Sequence, residues 1–151
     1  MYPYWKRFFD LAFAALLLLL LTPLLLPVML LLRCTAKGEV FYRQKRVGYG
    51  NALFGIWKFA TMLKDSPNIG TGSLTLRNDP RVTPVGRFLR RSKINELPQL
   101  LNVLSGEMSF VGPRPQMPVD FELYSPEVKA ALAQIKPGIT GIGSIVFRDE
   151  E

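Results

Sequence analysis

The chain has 151 residues, room for one domain, and a formal net charge of +7, with 19 Lys and Arg against 12 Asp and Glu. That excess favours an anionic partner: a phosphorylated small molecule, anionic lipid headgroups or nucleic acid. There is no histidine, which excludes a Ser-His triad, a His general base and the commonest zinc sites; the single cysteine, Cys34, excludes an internal disulfide or a Cys-cluster metal site.

The chain opens with aromatic and basic residues. Tyr2, Tyr4, Trp5, Phe8 and Phe9 suit a headgroup layer, beside Lys6 and Arg7. Leu11 to Leu32 then carries no charge, and as a straight helix would reach about 33 Å, enough for a bilayer core of about 30 Å. The run is long for a signal-peptide core, and no small-residue cleavage site follows. Pro23 and Pro27 fall inside it, each removing a backbone donor, with the Thr22 hydroxyl placed to satisfy a freed carbonyl. Basic residues flank both ends, with Arg33, Lys37, Arg43, Lys45 and Arg46 on the far side. Lys and Arg mark the cytoplasmic face, so both flanks ask for the same side. Physics alone leaves two shapes open: a Pro-kinked single span and a re-entrant hairpin.

Gly38 to Met62 reads as a β-hairpin, with strand-forming Val40 to Tyr42 and Leu53 to Phe59 around the turn Gly48-Tyr49-Gly50-Asn51. Lys64 to Ser73 is polar and holds Pro67, Gly70 and Gly72, so a loop is expected; it matches no Walker phosphate loop. Val85 to Arg91 predicts a short basic helix. Asn95 reads as the cap of a helix striped by Leu97, Leu100, Leu101 and Leu104, with Pro98 in its first turn and Gly106 ending it. Gly112-Pro113-Arg114-Pro115 reads as a rigid extended segment. Ser125 caps a last helix with Pro126 in its first position. That helix runs to about Ile135, with Val128, Ala131, Leu132 and Ile135 as its buried face.

The densest polar stretch is Arg77 to Glu96, with Asp79, Arg81, Arg87, Arg90, Arg91 and Lys93 between; Arg114 stands apart. Guanidinium forks match phosphate oxygens, and a helix N-terminus at Asn95 would add backbone donors, so the chemistry best supported is phosphoryl or diphosphate handling. The competing reading is a basic face on anionic lipid. The arginines lack an interleaved pattern of aromatics for base stacking, so nucleic acid is not an expected partner. Glu96 also suits a routine first-turn carboxylate, Asn95 a plain cap, and Asp79 a turn before Pro80.

These segments, taken in order, resemble a known family. The apolar segment interrupted at Thr22-Pro23 is followed by Phe41-Tyr42-Arg43-Gln44-Lys45-Arg46-Val47-Gly48, Trp57-Lys58-Phe59-Ala60-Thr61-Met62 and Asn78-Asp79-Pro80-Arg81-Val82-Thr83. Gly86-Arg87-Phe88-Leu89-Arg90 and Asn95-Glu96-Leu97-Pro98-Gln99-Leu100-Leu101-Asn102-Val103-Leu104 come next. Met108-Ser109-Phe110-Val111-Gly112-Pro113-Arg114-Pro115 and Lys136-Pro137-Gly138-Ile139-Thr140-Gly141 close the series. Over nearly its whole length the chain resembles the bacterial sugar transferases, which are monotopic phosphoglycosyl transferases.

The resemblance implies an α+β fold. Residues 1–37 would form a re-entrant membrane helix broken at Thr22-Pro23. Residues 38–151 would form a small, mainly helical cytosolic catalytic domain with a short β-hairpin, lacking the usual C-terminal helices. It implies transfer of a sugar phosphate from a UDP-sugar to undecaprenyl phosphate with release of UMP, starting a lipopolysaccharide, capsule or exopolysaccharide chain. The expected cofactor is Mg2+. Expected partners are the UDP-sugar, undecaprenyl phosphate and membrane lipid, and a homodimer is compatible. The expected location is the bacterial inner (cytoplasmic) membrane, with the catalytic domain on its cytoplasmic face. Lys58, Arg81, Arg87, Arg90 and Arg114 would bind phosphate oxygens, and Glu96 would ligate the metal or act as base. Asn95 occupies the position of the family's nucleophilic aspartate, and an amide is a poor nucleophile. Two routes stay open: another carboxylate such as Asp79 attacks, or the carrier phosphate attacks directly. A non-catalytic relative that binds polyprenyl phosphate or scaffolds a glycan assembly complex is the alternative.

Overall fold

The computed structural model describes residues 3–35, 39–64, 66–68 and 79–141. Arg77, Asn78 and most of the expected 64–73 loop lie outside them. The described elements are helix α1 (Tyr4–Thr35), strands β1 (Phe41–Val47) and β2 (Leu53–Phe59), helices α2 (Pro84–Arg91) and α3 (Leu100–Ser105), strand β3 (Ser109–Val111), helices α4 (Pro118–Glu122) and α5 (Pro126–Ala133), and strand β4 (Gly138–Thr140). The mixture of helix and strand agrees with the α+β expectation. The hairpin is present: the Gly48 N–H bonds to the Ala52 carbonyl, and the Ala60 N–H to the Val40 carbonyl. A 3-10 turn at Tyr49–Asn51 closes it, with Gly50 and Asn51 at positive φ.

The chain folds as two compact units that do not follow chain order. One comprises Met1–Leu19, Arg43–Trp57 and Gln99–Glu151. Within it, α3 ends where Gly106 adopts φ +89, a left-handed conformation that suits glycine. The last carbonyls of α3 are then met by cations. Arg7 donates to Val103 and Leu104, at 2.6 and 2.9 Å, and Lys136 donates to Gly106 at 2.8 Å. This is the favoured sign of charge for a helix C-terminus. Lys6 bonds to Ser109 and pairs with buried Asp10, whose carboxylate also accepts from the Phe110 N–H. Lys6 and Arg7, legible in sequence only as flanking charge, therefore bind the entry of α1 to the polar part of this unit. β3 and β4 pair in parallel, with Ser109 opposite Gly138 and Val111 opposite Thr140.

The α5 expectation needs correction. Ser125 caps the helix and Pro126 opens it, but α5 buries no residue, and Val128 and Ile135 are about half exposed. Leu132 and Ile135 line a cleft with Phe121 and Arg114 instead of entering a core.

The other unit comprises Leu20–Tyr42 and Lys58–Pro98. Its core is Leu32, Phe59 and Leu89, with Leu25, Val28, Met29, Val40, Val85 and Ile94 packed around it. Each fully buried side chain of this size contributes about 1.5–3 kcal/mol. Pro23 and Pro27 lie inside α1, and the helix runs through Thr22-Pro23 without interruption. An apolar helix of this length is compatible with a membrane.

Candidate active site

The expected site residues, Arg114 apart, belong to the second unit, and the exit of β2 organises them. Met62 pairs with Val82 in an antiparallel bridge, and the Leu63 N–H bonds to the Arg81 carbonyl. This sets residues 81–83 beside the strand. Thr83 then starts α2: its hydroxyl accepts from the Gly86 N–H at 2.9 Å, and Pro84 fills the first turn, where a missing donor costs little. Gly86 is required by close approach, because a Cβ there would lie 2.0 Å from the Thr61 carbonyl oxygen. Val85, Gly86 and Leu89 face inward, and the Arg90 Nε donates to the Thr61 hydroxyl at 2.9 Å.

After α2, Lys93 takes φ +59, a conformation costing a non-glycine residue about 1–2 kcal/mol. The chain then tightens into a 3-10 turn, Ile94–Gln99, before α3 begins. Asn95 is therefore not a helix cap, and no α-helix N-terminus is present there to hold an anion. Pro98 gives the physical reason: it has no N–H to continue an α-helical ladder back to Ile94.

This turn carries Glu96 to Lys58 on β2. The Lys58 Nζ lies 3.2 Å from the Glu96 Oε1, with the side chains 17% and 21% exposed. Asn95, the neighbour of Glu96 in the chain, is buried, and its Oδ1 has no hydrogen-bond partner among the described residues. A cation and a carboxylate, mostly withdrawn from water but still reachable, can steady phosphate charge on one side and a cation or proton on the other.

Asp79 and Arg81, in the same unit, face each other. Arg81 donates through Nε and Nη2 to both Asp79 oxygens, at 2.6–3.1 Å, and through Nη1 to the Ser66 carbonyl at 2.8 Å. Both residues are buried. The Asp79 hydrogen bonds raise the Arg81 pKa above its ordinary value; burial opposes this and charge attraction adds to it. A carboxylate so engaged is poorly placed to attack phosphorus, and its guanidinium partner has little left to offer a phosphate. Arg87 is exposed on α2. Arg114 belongs to the first unit, also exposed, in the cleft beside Phe121. Thr61, which receives both Thr83 and Arg90, carried no signal in the sequence beyond its place in Trp57–Met62.

Comparison with known proteins adds to this geometry. A family model described as bacterial sugar transferase matches residues 1–151. The chain is 43% identical to an undecaprenyl-phosphate glucose phosphotransferase of Komagataeibacter xylinus, over 96% of this chain and 30% of that protein. It is 44% identical to a UDP-glucose:undecaprenyl-phosphate glucose-1-phosphate transferase of Caulobacter vibrioides, over 93% of this chain and 53% of that one. It is 38% identical to the exopolysaccharide production protein ExoY of Rhizobium meliloti, over 96% of this chain and 70% of that one. The chain thus spans 30% and 53% of the length of the first two relatives.

Proposed function

Because the chain belongs to the bacterial sugar transferase family, we propose that it is a membrane-anchored phosphoglycosyl transferase. It moves a sugar phosphate from a UDP-sugar to undecaprenyl phosphate and so begins a bacterial surface polysaccharide. The observation that carries this reading is the family match over the whole chain, with names such as undecaprenyl-phosphate glucose phosphotransferase among the relatives. UDP-glucose is the first donor to test, since it is named for three relatives.

Within this reading, the Lys58–Glu96 pair is the reacting centre. A carrier-phosphate oxygen attacks the phosphorus that bears the sugar. The bond from that phosphorus to the bridging oxygen breaks, and UMP leaves with the bridging oxygen and its charge. Lys58 steadies the phosphate charge through its ammonium group, and Arg90 lies on the neighbouring helix to bind a further oxygen. Direct attack is preferred because Asn95 offers no nucleophile and Asp79 is committed to Arg81.

Among the described residues no group of three or more His, Cys, Asp or Glu is gathered. Mg2+ needs no such cluster, being bound by one or two carboxylates with substrate phosphates and water. The residues present fit it: Glu96 supplies a carboxylate, and the next residue in the chain, Asn95, has a buried Oδ1 with no hydrogen-bond partner among the described residues. Bound there, Mg2+ would offset diphosphate charge.

The anchor is read as re-entrant. Basic residues flank both ends of α1, Lys6 and Arg7 at its start and Arg33 at its end, and such residues favour the cytoplasmic face, which supports both ends meeting that one side.

The test is incubation of the purified protein with Mg2+, radiolabelled UDP-sugars and undecaprenyl phosphate. Labelled lipid together with UMP is expected; neither product across a panel of sugars overturns the reading. The second reading, a non-catalytic relative that binds polyprenyl phosphate, rests on Asn95. It predicts an inert protein that Asn95→Asp brings to life, and substantial activity in the unaltered chain removes it.

A further inference from the structure

Helix α2 is held at one roll angle. Thr83 caps it, Leu89 enters the cluster with Leu32 and Phe59, Arg90 turns to the Thr61 hydroxyl, and Gly86 lies against the Thr61 carbonyl. At 3.6 residues per turn, these constraints gather Pro84, Arg87, Phe88 and Arg91 on the opposite face. All four are exposed, Phe88 by 65%. The helix contains no carboxylate.

An exposed aromatic ring sharing one helix face with two arginines matches a headgroup layer: the ring enters the acyl boundary while the charges meet anionic phosphates. The place of α2 along the chain agrees. Leu89 shares its cluster with Leu32, and Leu25, Val28 and Met29 pack there too, in the final turns of the apolar helix that ends beyond exposed Arg33. One exposed ring on α2 provides no succession of stacking platforms, so charge complementarity points to lipid over nucleic acid.

We infer that the Arg87–Phe88–Arg91 face of α2 seats on the anionic surface of the leaflet that holds α1. This goes beyond the transfer chemistry and rests on the reading of α1 as a membrane anchor. The seat would fix how the site beside α2 is presented to a lipid-borne substrate.

The full chain, carrying Phe88→Trp, is reconstituted in nanodiscs of phosphatidylcholine alone or mixed with phosphatidylglycerol, and the emission of the unsubstituted protein is subtracted. In the phosphatidylglycerol discs the added indole is expected to be blue-shifted and quenched by lipid brominated near the top of its chains. Arg87→Gln with Arg91→Gln is expected to lower the ratio of seated to water-exposed α2 by about fivefold for each arginine, whereas Lys at both positions retains it. Water-like, unquenched emission overturns the inference. So does a blue shift without bromolipid quenching, which assigns the face to a second copy of the chain, and so does undiminished quenching in the double Gln variant. Flotation of the unsubstituted protein with pure phosphatidylcholine vesicles is scored separately, so that failure of the α1 anchor is distinguishable from failure of the α2 seat.

Discussion

Asn102 is fully buried and takes the place of a missing neighbour strand. The bonded pairs of the hairpin fall at 40–60 and 48–52, so Gly55 and Trp57 direct their backbone groups away from β1. The Asn102 Oδ1 accepts from the Trp57 N–H at 2.9 Å, and Nδ2 donates to the Gly55 carbonyl and to Glu107, each at 2.8 Å. Ser105 donates to the same Glu107 oxygen. Asn102→Ala orphans two backbone groups of β2 and leaves a void. An unsatisfied buried group costs about 1–3 kcal/mol. Both groups belong to half-buried residues, so the sum is expected near the lower end, about 2–4 kcal/mol. For a domain of this size that lowers the melting temperature by about 10 °C. Asn102→Asp is expected to fare worse at neutral pH, because it keeps the acceptor for Trp57 but turns a carboxylate towards the Gly55 carbonyl and Glu107. Thermal melting of the detergent-solubilised protein measures both variants. A shift below about 2 °C for Asn102→Ala would refute the edge-strand role.

Three further outcomes follow from other contacts. Glu96→Gln and Lys58→Met are each expected to reduce sugar-phosphate transfer about 100-fold or more, and the double variant to lose little beyond either single one; labelled-lipid formation reads all three. Leu89→Ala empties a site 1% exposed between Leu32 and Phe59, with an expected loss of about 2–5 kcal/mol in denaturant unfolding. Burial, with Arg7 and then Lys6 adding repulsion against the attraction of Asp10, lowers the Lys136 pKa below its ordinary 10.5. The unfolded chain then binds the extra proton between the lowered value and 10.5, so stability should rise with pH across that window. Lys136→Met should flatten that rise, as melting temperature against alkaline pH will show.

Local signals in the sequence found local structure. Ser125-Pro126 and Gly106 were legible because capping and left-handed turns depend on a few neighbouring residues. The hairpin was legible from its strand formers and glycine turn. Features built from distant residues were not. Lys58 and Glu96 each carry chemistry by residue type, but nothing local joins a strand residue to a carboxylate 38 positions away. Lys6 and Arg7 looked like flanking charge until the end of α3 received Arg7, and three-residue β3 and β4 are too short to show a period. Asn95 read as a cap because its residue type suits one; Pro98, in the same short segment, imposed the tighter turn. By residue type Asp79 suits a nucleophile and Arg81 a phosphate ligand, yet being two apart around Pro80 lets each satisfy the other. The apolar spacing of α5 was real, but spacing does not fix burial, and Val128 and Ile135 remain half exposed.

The most direct measurement is UMP release from UDP-glucose by the unaltered protein with Mg2+, followed with and without undecaprenyl phosphate. Direct displacement requires UMP only when the acceptor is present, in amounts equal to the labelled lipid formed. A burst of UMP without acceptor would reveal a covalent intermediate and contradict the assignment of Lys58 and Glu96 as the reacting centre without a protein nucleophile.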